Sequence, residues 1–140
     1  MGDQARPAWI AIEDFNRDNQ SDIIVSNYNS NNVGVFLGFG NGTFSTIIIY
    51  PTGDGSGPVC LSIGDFNNDK ILDIVVTHYL ANNVVVLFGF GDGTFFLGKT
   101  YSTGQNSGPV FVAIGDLNND TRLDIAVANG GSSTTSVDSY

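Results

Sequence analysis

Histidine, cysteine and methionine each occur once in this 140-residue chain, and lysine and arginine together five times. Each scarcity closes a class of function. A single cysteine excludes a disulfide framework and a cysteine-rich zinc site. Five bases against 14 acids give a net charge of −9, the reverse of what a nucleic-acid binder shows, so nucleic acid is not an expected partner. No apolar run exceeds five residues, so no membrane span is expected. Met1 to Trp9 contains no hydrophobic h-region, so no signal peptide is expected in the chain. No segment shows a 3.6-residue apolar period, which argues against helices. Charged residues make up 14% and hydrophobic residues 41%. That composition excludes a disordered polyelectrolyte and supplies a core, and the length suits one domain.

Acids and glycines are abundant, and both are ordered along the chain. Nine of the 14 acids form three clusters: Asp14, Asp18 and Asp22; Asp65, Asp69 and Asp73; Asp116, Asp120 and Asp124. Successive clusters lie 51 residues apart. Pro7, Pro58 and Pro109 keep the same register, as do Ile12, Ile63 and Ile114, and Asn27, His78 and Asn129. Residues 7–50 match residues 58–101 at 21 of 44 positions, and 58–77 match 109–128 at 12 of 20, without gaps. The chain is therefore a repeat array: a first unit over about 8–50, a second over about 59–101 and an incomplete third over about 110–140.

Each unit reads as four short strands. The first is Ala8–Ile12, Val59–Ile63 or Val110–Ile114, apolar at nearly every position and expected to be buried on both faces. The second follows the acidic cluster at Ile23–Ser26, Ile74–Thr77 or Ile125–Ala128, rich in β-branched residues. The third is Val33–Leu37 or Val84–Phe88. A glycine-rich turn leads to the fourth, Thr43–Tyr50 or Thr94–Tyr101. Asn41-Gly42 and Asp92-Gly93 are hairpin dipeptides, expected with positive φ at both residues. Four antiparallel strands at a period near 50 residues make one blade of a β-propeller, so the expected fold is all-β, a partial propeller of four-stranded blades.

The acidic loops share the pattern D-x-N-x-D-x-x-x-D. Side-chain oxygens at positions 1, 3, 5 and 9, with the carbonyl of position 7, offer hard ligands carrying three charges, which suits Ca²⁺. Magnesium demands stricter geometry, and transition metals prefer His or Cys. The loop is not an EF-hand, because position 12 is Val25, Val76 or Val127 and the flanks are strands. The alternative is an Asx turn without metal.

The acidic loop together with Phe39-Gly40-Asn41-Gly42-Thr43-Phe44 or Phe90-Gly91-Asp92-Gly93-Thr94-Phe95 resembles the FG-GAP (VCBS-like) repeat of integrin α-subunit propellers and many surface proteins. The resemblance spans about 8–128. It implies about three Ca²⁺, held between the first two strands of each blade. The implied ligands are Asp14, Asn16, Asp18, Gln20 and Asp22; Asp65, Asn67, Asp69, Ile71 and Asp73; and Asp116, Asn118, Asp120, Arg122 and Asp124. Family loops often carry glycine at position 6, where this chain has Asn19, Lys70 and Thr121.

The expected function is a calcium-binding module for adhesion or recognition of a protein or glycan, part of a larger propeller, without catalytic residues and not itself an enzyme. The alternative is the propeller portion of a secreted carbohydrate-active or lipase-type enzyme. Loops at Tyr28–Asn32, Pro51–Gly57, Tyr79–Asn83 and Ser102–Gly108 are then expected at the end of the blades opposite the acidic loops. Family resemblance places the protein outside the cell or at its surface. A chain with fewer than three full blades leaves apolar faces uncovered and is expected to self-associate.

Overall fold

The computed structural model describes residues 4–131 and 137–139, and every regular element among them is a β-strand. The first sheet takes β1 (Pro7–Glu13), β2 (Asp22–Asn27), β3 (Asn32–Phe36) and β4 (Ile48–Pro51) in chain order. The second repeats that order with β5 (Pro58–Gly64), β6 (Asp73–His78), β7 (Asn83–Gly89) and β8 (Phe95–Ser102). In the third, β10 (Asp124–Asn129) lies between β9 (Pro109–Gly115) and β11 (Val137–Ser139). Neighbouring strands are antiparallel in every sheet. Residues 132–136 and Tyr140, part of the incomplete third unit, lie outside the described residues.

The sheets stack as propeller blades, and period-2 alternation decides which residue faces which neighbour. Leu61, Ile74, Val76, Val85 and Leu87 of the second blade pack on Ile24, Val33 and Val35 of the first. Cys60, Val75, Val84 and Val86 point the other way, onto Val112, Ile125 and Val127 of the third. β6 is therefore buried at all six positions, which is why it is β-branched throughout its middle. The first strands lie together: Trp9 of β1 meets Phe111 of β9 edge to face at 5.6 Å.

Connections between blades are clasped by side chains. Asn31 Oδ1 accepts from the Gly57 N–H at 3.0 Å, and Asn82 Oδ1 from the Gly108 N–H at 3.0 Å. Inside the same loops the Thr52 and Ser56 hydroxyls meet at 2.8 Å, and those of Thr103 and Ser107 at 2.7 Å.

Three expectations need correction. β9 is not buried on both faces, since Val110 and Phe111 are 38% and 47% exposed, and neither is β1, where Ile10 and Ile12 are 60% and 59% exposed. One face of β1 lies at the end of the stack, where no sheet among the described residues covers it. The fourth strand of the first blade begins only at Ile48, and Phe44 joins Gly38 through an isolated bridge. The glycine-rich turns put positive φ on Gly40 and Gly42, and on Gly91 and Gly93, but not on Asn41 or Asp92. Those side chains instead cap the turn: Asn41 Oδ1 accepts from the Thr43 N–H and hydroxyl, and Asp92 Oδ1 from those of Thr94. The two Thr94 donors hold the Asp92 carboxyl below its usual pKa.

Candidate metal centres in the acidic loops

The three loops fold alike. Position 1 accepts from the N–H groups of positions 5 and 6: Asp14 from Asp18 and Asn19, Asp65 from Asp69 and Lys70, Asp116 from Asp120 and Thr121. The position 3 amides Asn16, Asn67 and Asn118 accept from the N–H of position 5 and donate to its carboxylate. Asp18, Asp69 and Asp120 in turn accept from the N–H of Gln20, Ile71 and Arg122. This winding requires positive φ at positions 4 and 6. Arg17, Asn68 and Asn119 adopt 63°, 61° and 61°, and Asn19, Lys70 and Thr121 adopt 63°, 66° and 69°.

Position 9 behaves differently. Asp22 and Asp73 are fully buried. Asp22 accepts from the Phe15 N–H at 2.9 Å and the Gly38 N–H at 2.8 Å, and Asp73 from Phe66 and Gly89, each at 2.9 Å. Asp124 accepts from the Leu117 N–H. One carboxylate thus ties the acidic loop to the end of the third strand. The glycine there is required as well, because a Cβ on Gly38 or Gly89 would collide with the carbonyl of Ser21 or Leu72. These N–H donors are the partners that sequence reasoning missed. The signal for them is the constant 16-residue offset from Asp22 to Gly38 and from Asp73 to Gly89.

Neighbouring loops are linked across the blades. Arg17 at position 4 of the first loop donates to the Lys70 carbonyl in the second. The Gly93 N–H donates to the Phe15 carbonyl at 3.1 Å.

Electrostatics follow burial. Asp73 has its pKa raised, first by burial and further by the charges of Asp69 and Asp65, against the lowering effect of the Gly89 and Phe66 N–H groups. Asp116 lies in solvent, and its pKa is lowered, chiefly by the Thr121 N–H.

Among the described residues no group of three carboxylates, imidazoles or thiols is gathered at metal-binding range. The loop carboxylates are turned to the loop's own N–H groups. The donor chemistry nonetheless fits a hard cation, since every side-chain ligand is a carboxylate or amide oxygen. An ionised carboxylate has about four acceptor sites, and the protein donors to Asp14, Asp18 and Asp22 leave at least one on each oxygen. Each of those oxygens thus keeps an acceptor position beyond the hydrogen bonds that shape the loop.

Among curated proteins none matches the chain. Several solved structures are similar in fold, two of them as follows. One, described as a streptogramin B lyase, has a TM-score of 0.61 at 18% identity and is matched over 98% of this chain and 41% of its own. The other is selenomethionine-substituted virginiamycin B lyase from Staphylococcus aureus, with a TM-score of 0.61 at 14% identity over 99% of this chain and 42% of its own. The chain thus spans about two fifths of the length of these proteins. The expectation that it is not an enzyme is corrected by this finding: the fold it shares is one that enzymes use, so blade architecture gives no ground for setting catalysis aside. At such identities the likeness is one of fold. The FG-GAP-like repeat profile matches twice, over residues 14–76 and 65–127, each match running from one acidic loop through the second strand of the next blade. The chain belongs to the FG-GAP-like repeat family, and its blades are a segment of a β-propeller.

Proposed function

We propose that this segment is a calcium-stabilised recognition module serving adhesion or ligand binding outside the cell. The observation that carries the calcium half is Thr121. A β-branched residue disfavours positive φ, yet Thr121 at 69° repeats the winding of Asn19 and Lys70. The three loops thus keep one shape and one set of oxygens against local residue preference.

Asp14, Asn16, Asp18 and Asp22, with the Gln20 carbonyl, would hold one ion. Asp65, Asn67, Asp69, Asp73 and the Ile71 carbonyl would hold a second, and Asp116, Asn118, Asp120, Asp124 and the Arg122 carbonyl a third. The ion would neutralise carboxylates that repel one another and stiffen the link from the first strand to the second. The recognition half rests on the loops at the other end of the strands, rich in the Asn, Ser, Gly and Tyr residues that make adaptable contacts.

Calorimetric titration with calcium tests the reading. Three sites with Kd of roughly 10⁻⁴ to 10⁻³ M are expected, as in extracellular modules. At about ten times Kd, each adds roughly 1.4 kcal/mol of stability, or roughly 4 kcal/mol for three. Melting curves that overlay in calcium and in chelator would defeat the proposal.

A further inference from the structure

Arg6 stands where the repeat places glycine. Gly57 and Gly108 are its equivalents at the 51-residue period, and they adopt φ of 59° and 50°; Arg6 adopts 46°. The local turn is also the same, with the Tyr28 N–H donating to the Arg6 carbonyl at 3.0 Å and the Tyr79 N–H to the Gly57 carbonyl at 3.0 Å. At the equivalent positions a side chain has no room: a Cβ on Gly57 would lie 2.9 Å from Leu80, and one on Gly108 2.8 Å from the Tyr79 ring. A long side chain held in the left-handed region is strained, and such strain gathers where the side chain has work to do.

The Arg6 guanidinium lies over the Tyr28 ring, 4.7 Å from its centroid. With Tyr79, Pro7, Ala8 and Val59, these two residues line a cleft of about 540 Å³, within the size range of small-molecule sites. The planar N–H fork of a guanidinium matches the two oxygens of a carboxylate. The two tyrosines and the Pro7, Ala8 and Val59 side chains offer flat and apolar surface to a ring. Nine of the 14 acids lie in the acidic loops, away from the cleft, while Asp54 lies in the loop that ends at Gly57. The acidic loop lies at the far end of the seven-residue β1, roughly 20 Å away, while charges are screened over about 8 Å at physiological salt.

We propose that this cleft binds a small carboxylate carried on a ring, with Arg6 pairing to the carboxylate and the ring lying against Tyr28 and Tyr79. The inference rests on the recognition half of the function above and not on calcium.

The experiment titrates the 140-residue chain with benzoate, with glucuronate and with glucose, following NMR shifts. Saturable binding of either acid, weakened by added salt and exceeding that of glucose, is expected; which acid binds tells whether the ring is aromatic or a sugar. Arg6→Gly restores the residue of the repeat, and Arg6→Asn introduces one that this chain already holds at positive φ. Both should melt at or above the temperature of the parent chain and bind the acid about tenfold more weakly or worse. No binding of either acid, equal binding of glucose, or undiminished binding by the two folded variants overturns the proposal. If calcium binds and neither acid does, this inference falls alone. If Arg6-dependent binding persists in a chain that takes up no calcium, the calcium reading falls alone.

Discussion

The Oδ1 atom of Asp73 accepts a 2.9 Å hydrogen bond from the N–H of Gly89, sixteen residues later, while its Oδ2 accepts from Phe66 at 2.9 Å. A fully buried carboxylate therefore satisfies two backbone donors, that of Gly89 buried and that of Phe66 part-buried. This explains why the acidic loop and the glycine-rich turn occur together in each complete unit: one carboxylate reads both.

Removing that carboxylate should be costly even without metal. Asp73→Ala strands the buried Gly89 donor and the part-buried Phe66 donor, each worth up to about 1–3 kcal/mol, so a loss of roughly 2–6 kcal/mol is expected in urea unfolding. Asp69→Ala, in an exposed part of the same loop, should cost far less in chelator but remove one calcium site. Equal losses for the two variants in chelator would show that position 9 has no separate structural role.

Thr121 gives a prediction of opposite sign. Its φ of 69° places a β-branched side chain in the left-handed region, at a cost of about 1–2 kcal/mol for an L-residue. Thr121→Asn installs the residue that the first loop carries there as Asn19. The variant should be more stable by about 1 kcal/mol in urea unfolding, through relief of part of that strain, and should retain the site. A less stable variant would mean that the Thr121 side chain makes a contribution the loop geometry does not reveal.

The leading face of the first blade predicts association. Ile10 and Ile12 correspond to Leu61 and Ile63, which pack against the first blade. Here they are 60% and 59% exposed beside a groove of about 680 Å³ that includes Trp9 and Phe36. An apolar face of this kind drives contact between molecules. Light scattering on the isolated chain should show species larger than 14.8 kDa, and Ile10→Lys with Ile12→Lys should shift them toward monomer. A parent chain that is already monodisperse and monomeric would refute this.

What the sequence disclosed and what it withheld divide on locality. The acidic loops and the strand order were legible because the residues that carry them recur at one spacing, and Asx chemistry acts over a few residues. The exposure of Ile10 was not, since its apolar pattern matches that of Leu61 and only a neighbouring sheet separates their fates. Asn41 looked like a positive-φ turn residue but serves as an acceptor for Thr43, because Asn suits both roles and the flanking glycines take the positive φ. Arg6 gives no local signal of its conformation, which is set by a turn that Gly57 and Gly108 fill without strain.

His78 supplies the last prediction. It occupies the position of Asn27 and Asn129 at the end of the second strand. It is 1% exposed, and its Nε2 is buried without a hydrogen-bond partner among the described residues. Burial pushes its pKa down from 6.5 to about 4, against the raising effect of a hydrogen bond with Asn83. Above pH 6.5 the folded and unfolded chains both carry a neutral imidazole, and the full stability is present. Between pH 6.5 and about 4 the unfolded chain binds a proton that the folded chain refuses, so stability falls as pH falls. Below about 4 both states are protonated and this loss stops growing. At 1.36 kcal/mol per pKa unit the total is about 3 kcal/mol. His78→Asn places the repeat's own residue in the site and removes the titrating group. Urea unfolding at pH 7.5, 6 and 5 should show the parent chain losing stability more steeply than the variant. Carboxylates outside the site titrate in both proteins and cancel in the difference. Parallel pH profiles for the two chains would mean that the folded state accommodates a charged imidazole at His78 and that its burial imposes no acid sensitivity.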